Sequence, residues 1–129
     1  EDLYTGELIN TLTGHEGVIR SVDISPDGEK IVSGSYDNTI KIWSLKTGEL
    51  IKTILGHTAE VVSVDISEDG RYIASGSKDN NIKIWDLETG ELVSTLTGHK
   101  DEIYTVTFSP DGNSIASGSK DRTIKIWRR

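Results

Sequence analysis

Residues 14–43 read GHEGVIRSVDISPDGEKIVSGSYDNTIKIW, residues 56–85 read GHTAEVVSVDISEDGRYIASGSKDNNIKIW, and residues 98–127 read GHKDEIYTVTFSPDGNSIASGSKDRTIKIW. The three stretches align without a gap. Gly14-His15 returns as Gly56-His57 and Gly98-His99, and Trp43 returns as Trp85 and Trp127. Every offset is 42, so three periods fill 126 of the 129 residues. A fixed period of this length marks a repeat array, and nothing is left over for a second domain. The expected organisation is one continuous array over 1–129, with repeats at about 1–43, 44–85 and 86–129. About six positions in ten agree between the first two stretches, which reads as a recent duplication or a consensus-built sequence.

Each period predicts four short strands. In the first period they cover about 7–13, 19–25, 30–35 and 39–45. Val22 and Ile24 alternate with Ser21 and Asp23, and Ile40 and Ile42 alternate with Lys41 and Trp43. Period-two alternation of β-branched residues is a strand signal. Pro26-Asp27-Gly28, Glu68-Asp69-Gly70 and Pro110-Asp111-Gly112 supply turns, as do Thr47-Gly48 and Thr89-Gly90. No helical period of useful length occurs. The fold class is all-β, and four strands per 42 residues fit the four-stranded antiparallel blades of a β-propeller, three blades per chain.

Composition narrows the function. Net charge is −7, from 14 Lys+Arg and 21 Asp+Glu. An acidic surface argues against nucleic-acid and anionic-membrane partners. No apolar run spans a bilayer and no signal peptide is recognisable. Cysteine is absent, which removes disulfides, thiolate metal sites and cysteine nucleophiles. The expectation is a soluble protein, cytoplasmic if intracellular, with no cofactor and no metal.

Gly-His, Ser-Pro-Asp-Gly, Ser-Gly-Ser-x-Asp and Ile-Lys-Ile-Trp together resemble the WD-repeat family of β-propellers, over essentially the whole chain. Trp85-Asp86 keeps the pair that names the family, whereas Trp43-Ser44 and Trp127-Arg128 do not. The resemblance implies a buried hydrogen-bond tetrad in each blade. It maps onto His15, Ser33, Asp37 and Trp43, onto His57, Ser75, Asp79 and Trp85, and onto His99, Ser117, Asp121 and Trp127. Aspartate would fix the histidine tautomer, histidine would reach the serine hydroxyl, and serine would accept the indole N–H. Ser, His and Asp also suggest a hydrolase triad. No Gly-x-Ser-x-Gly elbow is present, and three identical sites suit a structural role better than an active site. The Asp-Gly turns lack the alternating carboxylates of a calcium loop. The chain is therefore expected not to be an enzyme.

The repeats differ most in the loop after Gly-His and just before the tetrad aspartate. The family resemblance gathers these positions on one rim, the usual protein-binding face. Val18, Arg20, Tyr36, Glu60, Val62, Lys78, Glu102, Tyr104 and Lys120 are its candidate binding residues. Tyrosine and arginine are enriched at binding hot spots.

Three blades cannot close a toroid, because each would turn about 120°. The strand near 7–13 opens the array and nothing follows Trp127 as an outer strand. The N-terminal strand of one copy is thus expected to complete the last blade of the next, in a ring closed by homo-oligomerisation. Two copies make a six-bladed homodimer and three a nine-bladed homotrimer. Asp23, Asp65 and Thr107 add bulk on the innermost strands, which favours the homotrimer. The expected function is a non-catalytic propeller scaffold, with or without an evolved ligand. The alternative is a protein- or peptide-docking module on the top face, and an enzyme or small-ligand receptor at the channel mouth is the third reading.

Overall fold

A computed structural model describes residues 4–129; the first three positions of the expected 1–43 repeat lie outside the described residues. The first sheet runs β1 (Ile19–Ile24), β2 (Lys30–Ser35), β3 (Thr39–Ser44) and β4 (Leu50–Leu55). The second runs β5 (Val61–Ile66), β6 (Tyr72–Ser77), β7 (Ile82–Asp86) and β8 (Leu92–Leu96). The third has β9 (Ile103–Phe108), β10 (Ser114–Ser119) and β11 (Ile124–Arg128), and no fourth strand among the described residues. All neighbours pair antiparallel. Among the described residues no helix is long and apolar enough to cross a membrane.

The Asp-Gly turns build the first hairpin of each sheet. Asp27 accepts the Ser25 hydroxyl at 2.6 Å and the Glu29 amide at 2.9 Å, and Gly28 supplies the left-handed φ of 75°. Asp69 and Asp111 repeat these bonds with their own serines. Glu68 stands where the other two turns have proline, so the aspartate and glycine carry the turn. The second hairpin needs a left-handed residue too. Asn38 and Asn80 take it at φ of 74° and 75°, and Arg122 takes it at 72°.

Residues 7–13, expected as an outer strand, carry no strand in the described chain. A strand exists only against a partner edge. In the first sheet that edge belongs to β4, which pairs with β3 from Thr39↔Leu55 to Trp43↔Leu50. Each complete sheet therefore takes its outer strand from beyond its own tryptophan.

The sheets stack face to face. Val32, Ile40, Ile42 and Ile54 of the first pack with Val61, Val64, Ile66, Ile73, Trp85 and Leu87 of the second. Ala74, Ile82 and Ile84 then meet Ile103, Val106 and Ile115 of the third. Gly34 permits the close approach: a Cβ there would stand 2.7 Å from the Val61 Cγ1. The two end faces lack this cover. Val22 is 63% exposed where its equivalent Val64 is 5%, and Ile126 is 70% exposed where Ile42 is 2%.

Candidate functional site: buried tetrads and an exposed loop face

In the first sheet the His15 Nδ1–H donates to Asp37 Oδ2 at 2.9 Å. The Ser33 hydroxyl lies 2.7 Å from His15 Nε2 and accepts the Trp43 indole N–H at 2.9 Å. His57, Ser75, Asp79 and Trp85 repeat the chain of bonds at 2.7, 2.7 and 2.8 Å. His99, Ser117, Asp121 and Trp127 do so at 2.8, 2.7 and 2.9 Å. Four elements meet at each network: the loop before the innermost strand, the second strand, the second hairpin and the third strand. Serine donates to a neutral imidazole while accepting from tryptophan, so the aspartate-bound Nδ1–H tautomer is the one that satisfies every atom. No buried side-chain nitrogen or oxygen lacks a partner among the described residues. The serine hydroxyls sit on residues at most 3% exposed, so none faces a substrate.

The aspartates are held ionised. Burial works against ionisation of Asp37, but the Thr39 hydroxyl, the His15 N–H and the amides of Glu16 and Thr39 outweigh it. Its carboxyl stays well below the ordinary range. In Asp121 the Thr123 hydroxyl leads, and the shift is again downward. Asp79 is lowered too: burial works against ionisation, and the bond from the His57 N–H with the amides of Asn81 and Thr58 outweighs it. Asn81 replaces the threonine there, so Asp79 leans more on its histidine.

The loop face carries eight of the nine candidate binding residues at least partly open. Val62 is the correction: it is 6% exposed and offers no surface. Its strand is packed by β1 on one side and β9 on the other, and a short apolar side chain does not reach past them. Tyr36 lies beneath two cations, with Lys78 Nζ 4.6 Å and Arg20 Cζ 5.8 Å from its ring centre. Lys78 also pairs with Glu60 at 3.8 Å. Tyr104 is 49% exposed. Arg20 and Tyr104 stand in the first and third sheets and are not neighbours within one chain.

The innermost strands are tied to one another. Asp23 Oδ2 accepts the Ile66 amide at 2.8 Å, and Asp65 Oδ2 accepts the Phe108 amide at 2.7 Å. Ser21 and Ser63 accept the amides of Val64 and Val106, both at 3.1 Å. Asp23 and Asp65 are thus bridges as well as bulk, a role that alternation in sequence did not reveal.

The WD domain, G-beta repeat pattern (WD40) matches residues 6–44, 48–86 and 90–128. The chain belongs to the WD40 family. Its fold is that of solved WD40 proteins. The crystal structure of the RRP9 WD40 repeats superposes with a TM-score of 0.88 and 33% identity, over 91% of this chain and 37% of that one. The structure of U3-55K gives 0.88 and 32%, over 91% and 38%. Among sequences, the periodic tryptophan protein 2 homolog of Neurospora crassa is 46% identical over 43 residues, 33% of this chain and 5% of that protein. Translation initiation factor 3 subunit I of Aspergillus niger is 44% identical over 41 residues, 32% and 12%. The WD40 blades here therefore span a small part of the curated relatives they match.

Proposed function

We propose that this WD40 chain is a non-catalytic scaffold for protein interactions that closes into a ring with copies of itself. One observation supports the closure: among the described residues the third sheet has three strands, while residues 7–13 repeat an outer-strand sequence and carry no strand. ELINTLT at 7–13 matches ELIKTIL at 49–55 and ELVSTLT at 91–97. In the complete sheets Lys41 Nζ donates to Thr53 Oγ1 at 2.9 Å, and Lys83 Nζ to Thr95 Oγ1 at 3.0 Å. The same register sets Thr11 of one copy opposite Lys125 of the next. The exposed end faces are complementary in the same sense, since Ile124 and Ile126 match residues that bury against a following sheet. Carboxylates standing between innermost strands favour a wide ring, a homotrimer of nine blades over a homodimer of six.

Noncatalytic action is supported by the burial of all three serines and the full use of their hydrogen bonds. The loop face around Tyr36 is the docking surface for a protein or peptide partner. The Aspergillus niger relative is a subunit of a translation initiation factor, which suits a role in protein assemblies.

Cross-linking tests the closure. Directly opposite residues in an antiparallel pair lie about 4.5–5.5 Å apart at Cα, within disulfide reach. With Thr11→Cys and Lys125→Cys together, oxidation is expected to join chains covalently. Chains that stay single, in protein that is assembled, would contradict this register.

A further inference from the structure

Leu87 and Arg129 hold equivalent places one sheet apart. The Leu87 N–H donates to the Arg71 carbonyl at 2.9 Å, and the Arg129 N–H donates to that of Asn113 at 2.9 Å. Leu87 is 4% exposed and packs with Ile42 and Ile54 in the joint between the first two sheets. At the next joint a guanidinium replaces that apolar side chain, and the short Ser94 of β8 replaces Lys52 of β4. A groove of about 210 Å³ lies there, walled by Ile84, Leu96, Phe108, Ile115 and Trp127. We propose that this groove binds a small organic acid with a phenyl-sized apolar body. Its walls belong to two adjoining sheets of one chain, so the site rests neither on ring closure nor on the loop face.

Size and lining set the body of the ligand. A dry cavity of about 150 Å³ takes up benzene, so this groove has room for a ring and a short arm. Phe108 and Trp127 offer aromatic faces and edges, and the three aliphatic walls remove the rest of the ring from water.

Charge sets the head group. Arg128 and Arg129 line the groove, and none of its lining residues is acidic. Arg129 donates to the Tyr72 hydroxyl at 3.4 Å, and its Cζ lies 5.2 Å from the centre of that ring. Arg71 Cζ lies 5.3 Å from the same centre, so Tyr72 gathers two guanidinium groups at the rim. Among the described residues no carboxylate forms an ion pair with any of these three arginines. A guanidinium matches a carboxylate with two parallel N–H···O bonds, which a neutral head group does not reproduce.

The test titrates the protein with 3-phenylpropionate and with the neutral 3-phenylpropan-1-ol, by calorimetry and by the indole N–H resonances. The acid is expected to bind at least about tenfold more tightly than the alcohol and to shift the Trp127 resonance but not that of Trp43. Ser94→Leu fills the groove and leaves the arginines, so it is expected to weaken both ligands by at least about tenfold. Arg129→Gln keeps the space and removes a charge, so it is expected to bring the acid down towards the alcohol. Positions 94 and 129 are exposed, and both variants are expected to melt with the parent. No binding of the acid at about 10 mM, or equal binding of acid and alcohol, would overturn the proposal. So would acid binding that ignores Ser94→Leu, because the ligand would then sit elsewhere.

Discussion

Asp79 accepts the His57 Nδ1–H at 2.7 Å, with the side chains 6% and 1% exposed. The pair anchors the hydrogen-bond chain that ends on Trp85. Without the carboxylate, a buried imidazole loses its partner. Asp79→Ala is therefore expected to cost about 1–3 kcal/mol in denaturant unfolding. A variant as stable as the parent would mean that the tetrad of the second blade contributes nothing.

Acid should expose two opposed carboxylate effects. Asp37, Asp79 and Asp121 have lowered folded-state pKa values, so their stabilisation is present above the unfolded value of about 4 and is lost as pH falls towards the folded ones. Asp65 is raised, so its penalty is present above its folded pKa and is relieved as pH falls through it. Asp65→Asn is expected to raise the melting temperature near pH 7, with the gain shrinking towards pH 4. A gain that grows on acidification would contradict this sign.

How much of this was legible in the sequence depends on the period. Strand positions 19–25 and 39–45 came from alternation, and the tetrads from a resemblance anchored on Gly-His and Trp, because residues that repeat at 42 occupy equivalent sites. Val62 was misplaced because its neighbours in the loop face are open at the ends of the array, whereas its own strand is covered on both sides. The bridges from Asp23 and Asp65 escaped notice for a different reason. They cross between sheets, and no pattern along one strand reports which amide a side chain will reach.

Arg122 occupies a left-handed turn position that Asn38 and Asn80 fill in the other sheets. An L side chain beyond asparagine or glycine is disfavoured there by roughly 1 kcal/mol. Arg122→Asn is expected to stabilise the chain by about 0.5–1 kcal/mol by chemical unfolding. Destabilisation would show that the arginine makes a compensating contact.

The end faces offer a sharper contrast. Ile126→Asp falls on a surface that is 70% exposed in one chain, so it should leave the fold of that chain alone and abolish assembly. Ile42→Asp, at a residue 2% exposed, should instead unfold the protein. Circular dichroism and sedimentation together separate the two. Intact assembly in Ile126→Asp would remove this face from the joint.

The loop face has its own readout. If Tyr36 and Tyr104 anchor a partner, replacing both with alanine should release proteins retained by the immobilised parent assembly, without change in its melting temperature. Retention that ignores both changes would place docking elsewhere.

Ring closure is tested most directly by the mass of the protein in solution, measured by light scattering across a range of concentrations. One chain weighs 14.2 kDa. The nine-bladed ring predicts about 43 kDa, three chains, and the six-bladed alternative about 28 kDa, two chains. A stable, monodisperse species of 14.2 kDa at every concentration would contradict closure by copies of the chain.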